Sequence, residues 1–212
     1  MIRPGFIDFE DENLTMDRRW FLELMDGIRE LFGEMLPELR AMNGLFPPSL
    51  NNEVIGAMAK SGFRTLNLSL GSSNPEQLKR FNRPDVRAGF DRALALSGKE
   101  ALSAVGYIIV GAPDQDPVRS VDDLLFLGRR RVLAGVSVFY PAPGSVDYAR
   151  CRNLGLLPES FAGMRSTALP IHQRTSRTDA ATLLRLGRML NFMKRLRESG
   201  VPIPPPAAVG PR

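Results

Sequence analysis

Five stretches of the chain carry the short-period apolar patterning of β-strands, and between them apolar residues recur at helical spacing. Ile7 and Phe9 alternate with Asp8 and Glu10, predicting a strand over 5–10 with one polar face that stops at an acidic turn. From Asp17, residues Trp20, Phe21, Leu24, Met25, Ile28, Leu31 and Phe32 fall on one helix face, with Asn13 or Thr15 as the expected N-cap and Gly33 as the stop. A short strand is expected over 39–42, then a helix capped by Ser49 or Asn51 that carries Val54, Ile55 and Met58 up to Gly62. Over 64–70, Leu66, Leu68 and Leu70 alternate with Asn67 and Ser69. Asn74-Pro75 opens a helix, a second runs over 85–96, and 102–110 is a long apolar, β-branched run expected to be covered on both faces. Asp116-Pro117 starts a further helix through Val121, Leu124 and Leu125, and 132–140 is the last strand, closed by Pro141 and Pro143.

Long crossovers between successive strands make them parallel. The expected fold is therefore α/β, a partial parallel (β/α) barrel of TIM-like type with about five βα units. Its organisation is read as a barrel portion over 1–147, a helical extension over 148–199 with a final helix over 178–198, and a Pro-rich disordered tail over 200–212. Residues beyond 147 up to that helix read as loop.

Composition narrows the function. With 43% hydrophobic and 24% charged residues the chain reads as an ordinary globular domain, and it has neither a signal-peptide pattern nor an apolar run of membrane-span length. A cytoplasmic protein is expected, without membrane partners. The net charge of +5 is scattered apart from Arg129-Arg130-Arg131 and Lys194-Arg195-Leu196-Arg197, and without an aromatic platform these clusters read as solvated helix ends rather than a nucleic-acid surface. A single cysteine, Cys151, excludes an internal disulfide and a cluster built from this chain's own thiolates. His172 stands alone, with no ligand spacing to Cys151.

Chemistry in a parallel barrel sits where strands end. Those ends carry Glu10-Asp11-Glu12-Asn13, Asn43-Gly44, Ser69-Leu70-Gly71-Ser72-Ser73, Gly111-Ala112-Pro113-Asp114-Gln115 and Tyr140-Pro141-Ala142-Pro143-Gly144. The acidic run offers several oxygens to an ammonium or a metal, and equally a helix-capping turn. Ser72 and Ser73 suit ribose hydroxyls or a carboxylate, and equally a helix entry. Gly111 lets a flat ligand approach the backbone or makes a tight turn, and Arg83 is placed to pair with a carboxylate or to face solvent.

Taken in order, these segments resemble the radical S-adenosylmethionine enzymes, and in particular their cobalamin-associated branch. The resemblance rests on Ile7-Asp8-Phe9-Glu10-Asp11-Glu12-Asn13, Asn43-Gly44-Leu45, Met58-Ala59-Lys60-Ser61-Gly62-Phe63, Leu68-Ser69-Leu70-Gly71-Ser72, Arg83-Pro84, Tyr107-Ile108-Ile109-Val110-Gly111-Ala112-Pro113 and Phe139-Tyr140-Pro141-Ala142-Pro143-Gly144-Ser145. It implies an α/β core whose second to sixth strands lie here, holding S-adenosylmethionine against a [4Fe-4S] cluster for cleavage to a 5'-deoxyadenosyl radical, with cobalamin as a further cofactor in methyl transfer. By the same resemblance Glu10 and Asp11 lie near the methionine ammonium, Asn43 at the third strand end, Ser69, Ser72 and Arg83 near ribose or carboxylate, and Val110, Gly111 and Tyr140 near adenine.

Two departures stand out. The family's Cys-x3-Cys-x2-Cys segment follows its first strand and is absent here, so the cluster is expected only in a longer form or with a partner that supplies the missing N-terminal half. Gly71 stands where many relatives carry an acidic or amide residue. The small-molecule substrate stays open. A non-catalytic binding module and one half of a split enzyme are the alternatives, and a phosphate-binding aldolase or isomerase barrel is disfavoured because no strand end carries a Lys and no Gly-rich phosphate loop follows the last strands. An edge strand at 5–10 without a neighbour predicts a chain that associates or needs a partner.

Overall fold

The computed structural model of the chain describes residues 4–11 and 13–202. The alternation is realised as β1 (Phe6–Asp8), α1 (Arg18–Phe32), β2 (Glu38–Arg40), α2 (Asn52–Lys60), β3 (Thr65–Gly71), α3 (Pro75–Arg80), α4 (Arg87–Lys99), β4 (Ser103–Val110), α5 (Pro117–Gly128), β5 (Leu133–Val138), α6 (Val146–Asn153) and α7 (Arg177–Glu198). The fold is α/β with parallel strands. β1 pairs with β2, and β3, β4 and β5 form a second ladder in sequence order. Parallel bridges from Leu39 to Phe63 and from Leu45 to Leu68 join the two sets, carried by Leu45 N–H to Asn67 O at 2.6 Å and Ser69 N–H to Leu45 O at 3.0 Å.

Local chemistry explains most boundaries. Asn51, Asn74 and Asp116 each accept a backbone N–H of the helix they open, and Pro75 and Pro117 occupy first-turn positions where a missing N–H costs nothing. α7 starts with a reciprocal capping box between Ser176 and Asp179. The cap of α1 is Asp17, not Asn13 or Thr15: its carboxylate accepts from Trp20 N–H, while Thr15 is buried against the Ser49 hydroxyl at 2.6 Å. Helix α4 begins at Arg87 rather than Asp85, whose carboxylate is turned onto the Arg87 backbone and guanidinium.

One face of the strands is packed and the other is open. Leu66, Leu68, Leu70, Ile108 and Val110 are fully buried, and the helices press close enough that a Cβ at Gly106 would lie 2.7 Å from both Leu127 and Phe90. Each such side chain contributes ~1.5–3 kcal/mol on burial, so this helix-covered face holds the fold. Val105, Tyr107 and Ile109 alternate onto the other face and stay half-buried. β4 is thus covered on one side only, against the expectation of two: on its open face the Tyr107 ring lies over Gly135, 2.6 Å from where a Gly135 Cβ would stand.

The stretch after 147 is not all loop. Ser145 caps α6 by accepting from Tyr148 N–H. α7 packs on β5, and a Cβ at Gly187 would meet Val136 at 2.8 Å. No helix among the described residues is long and apolar enough to cross a membrane. Most of the Pro-rich tail, from 203 onward, lies outside the described residues.

Candidate functional site

The open face and the strand ends build two joined cavities. The larger, about 530 Å³, is lined by Ser69, Tyr107, Ile109, Ser137 and Phe139 from the strands and their ends, and by Met42, Asn43, Phe81, Arg83 and Tyr140 at the rim. The smaller, about 270 Å³, is lined by Asn13, Asn43, Gly44, Phe46, Ser69, Leu70, Arg83, Pro84 and Val86. Asn43, Ser69 and Arg83 line both and form their junction.

Glycine fixes that junction. Gly44 has φ +99°, and a Cβ there would lie 2.4 Å from Ser69 Oγ, so only glycine leaves the hydroxyl its place. Asn43 Nδ2 donates to the Glu10 carbonyl at 2.8 Å and to Glu10 Oε2 at 3.2 Å, tying the acidic turn after β1 to the end of β2. Arg83 has no carboxylate within ion-pair distance among the described residues, and its Cδ lies 3.5 Å from where a Gly71 Cβ would be. The Tyr107 hydroxyl donates to Asn67 Oδ1 at 3.3 Å, and burial raises its pKa, which keeps the phenol protonated.

Other expected residues are placed differently. Glu10 and Asp11 are exposed and line neither cavity, and Asp11 accepts from Asn13 N–H at 2.6 Å; Glu12 lies outside the described residues. Val110 turns its side chain into the helix-covered core, and Gly111, φ +80°, turns the backbone against Val138. Ser72 lines neither cavity: 1% exposed, it donates to both carboxylate oxygens of Asp123 at 3.0 Å. Ser73 adds its N–H and hydroxyl to Asp123, each at 2.6 Å. This buried carboxylate on α5 therefore anchors the turn after Gly71. Burial pushes the Asp123 pKa up, opposed by the Ser73 and Ser72 hydrogen bonds.

The next turn is held likewise. Gln115, 1% exposed, donates to Ile109 O at 2.8 Å and accepts from Ala112 N–H at 3.0 Å, while Thr175 donates to Gln115 O at 2.6 Å. Asp114, at φ +60°, receives Arg150 at 2.5 Å and Gln173 at 2.9 Å. Sequence reading missed Asp123, a polar residue at a buried position of an otherwise unremarkable helix, and named Gln115 only as part of the rim and not as the residue that ties its turn. It also missed Tyr107, Ile109 and Ser137, whose strand parity with Asn67 and Ser69 would have marked them.

Among solved structures the chain resembles the radical S-adenosylmethionine methyltransferase TsrM from Kitasatospora setae, determined with cobalamin and a [4Fe-4S] cluster bound, at TM-score 0.53 and 16% identity over 63% of this chain and 27% of that one. It also resembles coproporphyrinogen III oxidase HemN from Escherichia coli, a radical S-adenosylmethionine enzyme, at TM-score 0.54 and 20% identity over 87% and 38% of the two chains. Its fold is that of the radical S-adenosylmethionine enzymes. Methylornithine synthase PylB aligns at TM-score 0.54 and 16% identity over 98% of this chain and 60% of that one. A curated methyltransferase, bacteriochlorophyllide d C-12(1)-methyltransferase of Chlorobaculum tepidum, is 27% identical over 139 residues, 65% of this chain. The chain spans 29% of that relative's length. No family model matches.

A [4Fe-4S] cluster needs three or four thiolates, and these residues do not fit one. The single thiol, Cys151, is fully buried in α6 with its pKa raised by burial, and no group of three metal-ligating side chains forms among the described residues. The donor set of the cavities does fit a zwitterionic nucleoside: at the junction a guanidinium without an ion-pair partner among the described residues, an amide and a hydroxyl, with the Asp147 carboxylate and aromatic rings lining the larger cavity. His172 is exposed, and Nδ1 accepts from Arg177 N–H at 3.4 Å, as part of the turn into α7.

Proposed function

We propose that this chain forms the S-adenosylmethionine-binding rim of a radical S-adenosylmethionine core, an arc of barrel whose cluster is held by thiolates other than its own. The observation that carries the reading is Arg83, a guanidinium without an ion-pair partner among the described residues, facing two joined cavities whose shared wall is Asn43 and Ser69. In this assignment Arg83 receives the methionine carboxylate, as guanidinium groups do in bidentate fashion, and Glu10 and Asp11 face the ammonium. Asn43 and Ser69 meet the ribose hydroxyls, and Tyr140 with the Val110–Gly111 backbone borders adenine. Ser72 acts through Asp123 by holding the turn that carries Gly71.

The proposal ends at binding; no reductive step is assigned to these residues, and no residue of the cavities is assigned to cobalamin. Methyl transfer, as in the Chlorobaculum relative, is the reaction class proposed for the complete enzyme, in the cytoplasm. A second reading, a binding module without cleavage, is favoured by the lone buried thiol. Calorimetric titration of the chain with S-adenosylmethionine tests the assignment. Saturable binding weakened about tenfold or more by Arg83→Ala, the loss of a charge-assisted contact, is expected. Binding unchanged in Arg83→Ala contradicts it.

A further inference from the structure

α5 and α7 pack along a narrow seam. A Cβ at Gly128 would lie 3.4 Å from Leu190, and one at Gly187 3.7 Å from Leu124. Beside that seam each helix carries an apolar row at i, i+3 and i+7: Val118, Val121 and Leu125 on α5, Leu186, Met189 and Met193 on α7. Helical spacing puts Val121 and Leu125 on the flank of α5 that carries Gly128, and Leu186 and Met193 on the flank of α7 that carries Leu190. The two rows therefore lie side by side. All six are open to solvent, from 36% for Val121 to 69% for Val118. Single exposed apolar residues are ordinary, but six in two adjoining rows form a patch of the kind used for association.

The charge around the rows selects the partner. Arg129, Arg185 and Arg197 border them, are exposed, and have no carboxylate within ion-pair distance among the described residues; Arg119 and Asp122 pair with each other at 3.7 Å. Two copies of this face would bring their unpaired arginines together. The rows are aliphatic and Met, adaptable side chains suited to a helix surface, and Phe192 of α7, 62% exposed, stands beside Met189 at the edge of the patch. We propose that the α5–α7 face docks an amphipathic helix of a protein partner whose apolar stripe is flanked by Asp or Glu. Apolar contact supplies affinity and the arginine rim selects the acidic flanks.

Two synthetic helical peptides with the same Leu stripe, one flanked by Glu and one by Lys, test this by fluorescence anisotropy against the whole chain. The Glu peptide should bind saturably, more weakly as salt rises, and at least ~10-fold tighter than its Lys twin. Met189→Glu and, separately, Val118→Glu should each weaken it at least ~10-fold; both sites are exposed, and circular dichroism checks that the variants fold. Equal binding of the two peptides, no binding, or binding indifferent to both substitutions overturns the proposal. So does a dimer in sedimentation velocity that Met189→Glu dissolves, which assigns the face to a second copy. Co-sedimentation with phosphatidylserine vesicles that Met189→Glu abolishes likewise overturns it, in favour of a membrane surface.

Discussion

The outer strands of the series, β1 and β5, are finished in different ways. At β5 the chain closes its own edge: Asn191 of α7 accepts from Ala134 N–H at 2.7 Å and donates to Ala134 O at 2.9 Å, taking the place of a neighbouring strand. One turn on, Lys194 donates to the carbonyls of Leu127, Arg130 and Val132 at 2.7, 2.9 and 2.5 Å, closing the end of α5 and the entry to β5. At β1 nothing comparable is present among the described residues. The strand pairs only with β2, Phe6 is 54% exposed, and its ring is covered by the Arg40 guanidinium at 4.3 Å. That cation–π contact and the Arg40–Glu38 pair are surface interactions that solvent screens. The same backbone problem is thus solved by a packed helix at one end and by nothing comparable among the described residues at the other, so any association by backbone pairing is expected at β1.

Asn191→Ala breaks the comparison most strongly. It leaves both Ala134 backbone groups without their partner, and a loss of about 2–3 kcal/mol is expected, or ~4–10 °C in the melting temperature of a chain this long. Concentration-dependent association should appear with it, read by sedimentation velocity. An unchanged melt would mean that the amide does not hold the edge.

Asp123 tests the finished half from within. Because burial raises its folded pKa, this site's contribution to stability is full below the ordinary aspartate range and is lost as pH rises through the raised folded value. Asp123→Asn cannot ionise, so its denaturant-derived stability should fall less than that of wild type over that rise. Parallel curves would show that the carboxylate does not titrate against folding.

Phe6→Pro should have the smallest effect on stability, under ~1 kcal/mol, because the N–H it removes faces the unpaired edge and the ring contact it removes, with Arg40, lies at the surface. It should nonetheless reduce any self-association of the chain, and undiminished association would move the contact away from β1.

Much of this architecture could be read from the chain because its devices are local. Alternation in Leu66, Leu68 and Leu70 and the pairs Asn74-Pro75 and Asp116-Pro117 determine a strand and two helix starts within a few residues. The misplacements arose where the deciding partner is remote. Thr15 looks like a cap until Ser49, far along the chain, takes its hydroxyl, and Ser72 looks like a ligand-binding hydroxyl until Asp123 claims it. The strand β4 reads as doubly covered because nothing local reveals that its second face borders a cavity. Asn43, Ser69, Arg83 and Tyr140 were named from the sequence and line the larger cavity, whereas Tyr107 and Ser137 needed the register between strands.

The central claim is that the junction of the two cavities receives S-adenosylmethionine, and backbone NMR of the ¹⁵N-labelled chain during titration with that compound tests it most directly. The account predicts saturable shifts at Gly44, Ser69, Gly71 and Arg83, with Val118, Val121 and Leu125 of α5 unmoved. Shifts confined to residues away from the cavities, or no shift at saturating ligand, would contradict it.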